Sequence, residues 1–163
     1  MGNWKPVNYF LKKLYKLISF NRKVIVPSKE NKEIELQCVP DFNVKYRCFY
    51  IALTLLLSSF INYNFLKITS FKATFFECFM VGIIMILLNF ILIFKYNFKF
   101  VLNWIGNFQT SFLIKSFSFL LSIILNFTFG FSEHILMLID LPVLLFVAYD
   151  LKRRFEIAKF NNK

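Results

Sequence analysis

The sequence carries almost nothing from which a catalytic centre could be built. One histidine, His134, and three cysteines, Cys38, Cys48 and Cys78, are scattered through 163 residues. They form no C-x-x-C pair and no ligand set, which excludes a disulfide framework and a structural zinc site. The nine acidic residues make no metal-holding cluster, and there is no Walker loop, H-E-x-x-H helix or dinucleotide fingerprint. Gly130-Phe131-Ser132-Glu133-His134 lacks the second glycine of a serine-nucleophile elbow and has no evident base. A membrane thiol oxidoreductase would need paired cysteines on the oxidising side, and Cys38 and Cys48 map to the cytoplasmic side. The chain reads as non-enzymatic, with no cofactor and no metal. No secretory leader is expected either, because the first uncharged apolar run starts near residue 48. An acylation signal is likewise not expected at Met1-Gly2-Asn3-Trp4-Lys5-Pro6, which has no Ser or Thr at position 6.

What the chain has instead is hydrocarbon. Hydrophobic residues make up 58% of it, 24 of them Phe, and the mean hydropathy is +0.58. A soluble domain runs at about 45–50% apolar, so this excess asks for a membrane. Four spans are predicted, at about 48–66, 78–94, 112–131 and 135–149. The first is uncharged throughout, and the third contains a single charge, Lys115. Crossing a hydrocarbon core takes about 20 helical residues, so the fourth span, short and interrupted by Asp140 and Pro142, is also of a length that suits a re-entrant segment.

Charge is sparse and one-sided: 20 Lys and Arg against nine acids, a net +11. Ten of the basic residues precede the first span, five follow the fourth, and Lys95, Lys99 and Lys115 lie at the connection between spans two and three. The connection between spans one and two holds Lys67 and Lys72, and that between spans three and four holds none. Lys and Arg resist translocation, so an eighteen-to-two split puts both termini in the cytoplasm of an inner-membrane protein.

Residues 1–47 form a basic cytoplasmic segment. Within it Val7, Phe10, Leu11, Leu14, Leu17 and Ile18 recur at helical spacing among Lys12, Lys13 and Lys16, which predicts an amphipathic helix over 7–20 lying among headgroups. A small two-stranded β-hairpin is predicted over 23–38, from Lys23–Val26 and the alternating Glu33–Cys38 run. Residues 48–150 form an all-α integral membrane four-helix bundle, and 151–163 a basic tail. Lys12, Lys13, Lys16, Lys152, Arg153 and Arg154 are the candidate docking residues. Anionic headgroups satisfy them, and a cytoplasmic protein or RNA partner is the other reading.

Polar residues within spans face protein or water, so their register carries information. Asn107, Ser111, Lys115, Ser118, Ser122 and Asn126 fall on one face of span three, as a packing face between helices or as a pore lining in a homo-oligomer. Asn62, Asn126 and Asp140 lie at one depth and form a candidate polar cluster, either with a neutral Asp140 bonded to Asn126 or with a titrating Asp140.

The run Cys38-Val39-Pro40-Asp41-Phe42-Asn43-Val44-Lys45-Tyr46-Arg47 resembles the entry segment of small bacterial four-helix membrane proteins. In size, span number and basic ends the chain is similar to the membrane accessory proteins encoded beside type VI-B CRISPR nucleases. That resemblance implies antiviral defence, with an accessory acting at the inner membrane when a cytoplasmic RNA-guided nuclease is active. It transfers no site residues. The expected function is a non-enzymatic accessory or regulatory protein. The alternative is a small oligomeric channel or membrane-permeabilising effector.

Overall fold

A computed structural model describes residues 5–27, 42–69, 72–130 and 133–160; of residues 5, 6, 133, 134, 136, 137, 139 and 140 it describes the backbone but not the side chain. Five helices follow one another: α1 (Lys5–Ile25), α2 (Val44–Ile68), α3 (Phe75–Ile93), α4 (Phe98–Phe129) and α5 (Glu133–Phe160). No strand occurs among the described residues.

Local chemistry sets the helix ends. Asn43 caps α2 by accepting from the Tyr46 N–H, and Asn97 caps α4 by accepting from the Phe100 N–H. Thr74 and Glu77 make a reciprocal capping box at the start of α3. Gly130, at φ 65°, ends α4 in the left-handed conformation, and its N–H reaches the Asn126 carbonyl. α2, α3 and α4 have 25, 19 and 32 residues and are long and apolar enough to cross a membrane. The predicted fourth span lies inside α5, which runs on without a break through Phe160 and so absorbs most of the predicted tail.

α2 and α4 form the central pair and run in the same direction. Tyr50 bonds to Thr110, Asn62 to Ser116, and the Phe65 ring stacks on Phe119 at 4.1 Å, in the same order along both helices. α3 lies against α2, where Gly82 faces Leu55 and Ser59, and it also reaches α4 through an Asn89–Trp104 hydrogen bond. α5 lies against α4. α4 therefore touches every other helix. Its first half shows the consequence: from Phe100 to Ser111 every residue but Asn103 is buried. Beyond residue 112 much of α4 is exposed, as is most of α3, and these surfaces are apolar: Leu88, Ile91, Leu92, Leu121, Phe127 and Phe129 are among them. The core clusters accordingly lie at the end where α2 and α4 begin. One is built from Ile93, Phe100, Val101, Trp104 and Ile105, the other from Leu17, Val24 and Tyr50.

The first arm of the predicted hairpin is corrected by this arrangement. α1 stays helical through Ile25, so Lys23, Val24 and Ile25 are its last turn and not a strand. Apolar residues in so short a run do not separate helix from strand by periodicity. What decides is tertiary: Asn21 and Val24, on one face, are fully buried in the angle between α2 and α4. The second arm, residues 33–38, lies outside the described residues.

Candidate functional site

The polar side chains converge at the end of the molecule where α1 and α5 finish and α2 and α4 begin. Asp150 and Arg154, one turn apart on α5, form a buried ion pair through Arg154 Nε and Asp150 Oδ2 at 2.5 Å. Ser111 Oγ on α4 donates to the same carboxylate oxygen at 2.7 Å. Arg154 Nη1 donates to the Val24 carbonyl at 2.6 Å and to Asn107 Oδ1 at 3.4 Å, and Nη2 donates to the Ile25 carbonyl at 3.3 Å. A helix leaves its last carbonyls without intrahelical donors, and Arg154 supplies donors for two of them in α1. One guanidinium thus ties α1, α4 and α5 together.

A second set joins α1 to α2. Asn21 Nδ2 donates to the Leu17 and Tyr46 carbonyls, the Phe20 ring stacks on Tyr46, and Arg47 Nη2 donates to the Phe20 carbonyl at 3.4 Å. Gly106 of α4 permits the close approach beneath: a Cβ there would lie 3.0 Å from Val24 Cγ1 and 3.3 Å from Arg47 Cδ. Several buried atoms have no hydrogen-bond partner, among them both amide atoms of Gln109, Ser59 Oγ, Asn21 Oδ1, and Nε and Nη1 of Arg47.

The predicted site residues fall into three groups. Asn107 and Ser111 belong to the buried Asp150–Arg154 network. Lys115, Ser118 and Ser122 continue along α4. The Lys115 ammonium lies 4.9 Å from the Phe119 ring centroid, Ser118 donates to the Lys115 carbonyl, and Ser122 is buried. Asn62 accepts from Ser116 at 3.2 Å, Asn126 is half-buried near the far end of α4, and the side chain of Asp140 lies outside the described residues.

Of the docking residues, Lys12, Lys13, Lys16, Lys152 and Arg153 are exposed, whereas Arg154 is only 4% exposed and already engaged. It faces neither lipid nor partner. Leu17 likewise leaves the predicted lipid-facing set, because it packs beneath α1 with Val24 and Tyr50. The Asp150–Arg154 pair was not singled out from sequence. Its signal, an Asp four residues before an Arg in a continuing helix, was present but blended into a basic tail.

Among the described residues no group of three or more His, Cys, Asp or Glu could hold a metal. Asp150 accepts from both Ser111 and Arg154 through one carboxylate oxygen. No protein-family model matches the chain, and no curated protein or solved structure matches it either.

Proposed function

We propose that this is a non-enzymatic inner-membrane protein of four spans, α2 to α5, with both termini cytoplasmic, which acts as an accessory or regulatory component by docking anionic headgroups. The observation that carries this reading is the division of α1. Its last two turns are clamped to the bundle by Arg154, Asn21 and Val24. Residues 7–16 stand exposed and carry Phe10, Leu11 and Leu14 beside Lys12, Lys13 and Lys16. Such a helix, apolar on one side and basic on the other, suits the boundary between headgroups and acyl chains. The bundle fixes its height, because the clamp sits at the end where basic residues concentrate.

The likeness in size, span number and basic ends to accessory proteins of type VI-B CRISPR loci supports antiviral defence as the setting. α5, with Pro142 inside it, is the fourth span in this reading, and an even number of spans places both basic termini on one side.

The experiment is a depth measurement on the full chain in nanodiscs. A spin label at Phe10→Cys, with the native cysteines replaced by Ser, should sit in the headgroup region when the lipid is anionic. Replacing Lys12, Lys13 and Lys16 with Gln should raise it toward water. A label equally water-exposed in anionic and zwitterionic lipid, with or without the lysines, overturns the docking role.

A further inference from the structure

We propose that Arg47 is the nucleus of a second, separate anion site, which takes the phosphate of an anionic phospholipid from the cytoplasmic leaflet. The proposal rests on the membrane reading above but uses none of the exposed lysines of α1. The geometry starts from a charge without a counter-ion. Arg47 is 3% exposed, and among the described residues it donates through Nη2 to the neutral Phe20 carbonyl. Nε and Nη1 have no hydrogen-bond partner, so two nitrogens of this buried cation are idle. No described carboxylate pairs with it; among the described residues the buried ion pair at this end is that of Arg154 with Asp150. A buried guanidinium is ordinarily paired, so one left with two idle donors marks a place where a ligand completes the site.

Basic residues stand at the starts of both helices here. Arg47 sits in the first turn of α2 and Lys99 in the first turn of α4, and neither first turn holds an acidic residue. Helix N-termini carry partial positive charge and usually attract acids, so basic residues at both add to the fields of the two helices. One ring joins them: the Arg47 guanidinium carbon lies 5.7 Å from the Phe42 centroid and the Lys99 ammonium 5.8 Å from the same centroid. Phe42 is half-buried, Lys99 exposed and Arg47 buried. The site therefore grades from an exposed ammonium, past an aromatic ring, to a buried guanidinium.

Its depth favours a lipid source for the phosphate. Arg47 and Lys99 lie at the starts of α2 and α4, which in the membrane reading is the level of lipid phosphates, and basic niches between helices on the cytoplasmic side suit anionic headgroups. Free phosphate offers the same oxygens without the chains that would hold it at this level.

The test uses the purified full chain in detergent, titrated with phosphatidylglycerol, with phosphatidylcholine of the same chains and with inorganic phosphate, and read by lipid-retaining mass spectrometry and thermal shift. One phosphatidylglycerol per chain should be retained in preference to phosphatidylcholine. Arg47→Gln should weaken that binding at least tenfold. Lys99→Gln, an exposed change that leaves the packing alone, should weaken it severalfold and decides the matter if Arg47→Gln does not fold. The triple Gln variant of Lys12, Lys13 and Lys16 should retain the lipid. Retention unchanged in both Arg47→Gln and Lys99→Gln overturns the site. Loss in the triple variant alone overturns it too, while leaving the α1 docking role standing. Displacement by inorganic phosphate at equal affinity overturns the lipid as the source.

Discussion

At Asp150 and Arg154 the energetics turn on what would be left behind. Exposed i, i+4 pairs contribute little, but here both side chains are buried and share donors and acceptors with Ser111, Asn107 and the end of α1. Removing one partner strands the other charge in a poorly solvating place. Arg154→Met should therefore destabilise the protein by about 3–5 kcal/mol, the range for breaking a buried pair. Asp150→Leu combined with Arg154→Met should recover part of that loss, because no unpaired charge remains. Denaturation in mixed micelles measures both, and a double variant as unstable as the two single losses summed would show that the pair's own charge balance is not what matters. The Asp-x-x-x-Arg spacing was legible in the sequence. Its burial was not, because it depends on α1 folding back over α4, and no local pattern around Asp150 reports that.

Among the elements, α1 shows how far periodicity reaches and where it stops. The apolar recurrence among lysines marks a helix over 7–20, and the helix is there, extended to Lys5–Ile25. Periodicity alone does not say which apolar residues meet protein and which meet another phase. Leu17 and Val24 go inward, whereas Phe10 and Leu14 remain exposed. The same limit applies to α2, α3 and α4. The long apolar runs announce them, and Asn43, Thr74 with Glu77, Asn97 and Gly130 mark their ends, yet the pairing of α2 with α4 depends on contacts 54 to 60 residues apart in the chain. Gly106 is the place to test the α1 packing. A Cβ there already presses Val24 and Arg47, so Gly106→Leu should lever α1 off α4, at a cost of about 1–3 kcal/mol for overpacking. A cysteine at Val24, protected in the parent, should then become reactive to a soluble maleimide. Phe10→Ser with Leu14→Ser, by contrast, should leave micellar stability within about 0.5 kcal/mol, as for surface positions, while releasing α1 from anionic bilayers.

For the whole molecule, four alternating spans would put residues 26–43, 94–97 and 160 at one end and 69–74 and 130–132 at the other. In intact cells, single cysteines at 72 and 132 should react with an impermeant reagent and one at 160 should not; reaction at 160 from outside would overturn the topology. The conducting alternative is then settled by the far half of α4. A pore along its polar face needs Ser118, Ser122 and Asn126 to meet water, with Asp140 near the same level, whereas Asn107 and Ser111 at the other end are already bonded within the protein. Bonds of this kind between helices are what packing requires, and the Ser116–Asn62 contact extends them outward. Asp140→Asn preserves size and hydrogen bonding while removing the charge that could attract a cation or carry a proton. Ser122→Leu places an apolar bulk at a buried α4 position. In reconstituted vesicles a packing face predicts no dye or ion leak from the parent protein and, for Ser122→Leu, lowered detergent stability with overpacking of about 1–3 kcal/mol. A conducting face predicts leak that both substitutions suppress while insertion persists. Leak of that second kind would replace the accessory role with a channel.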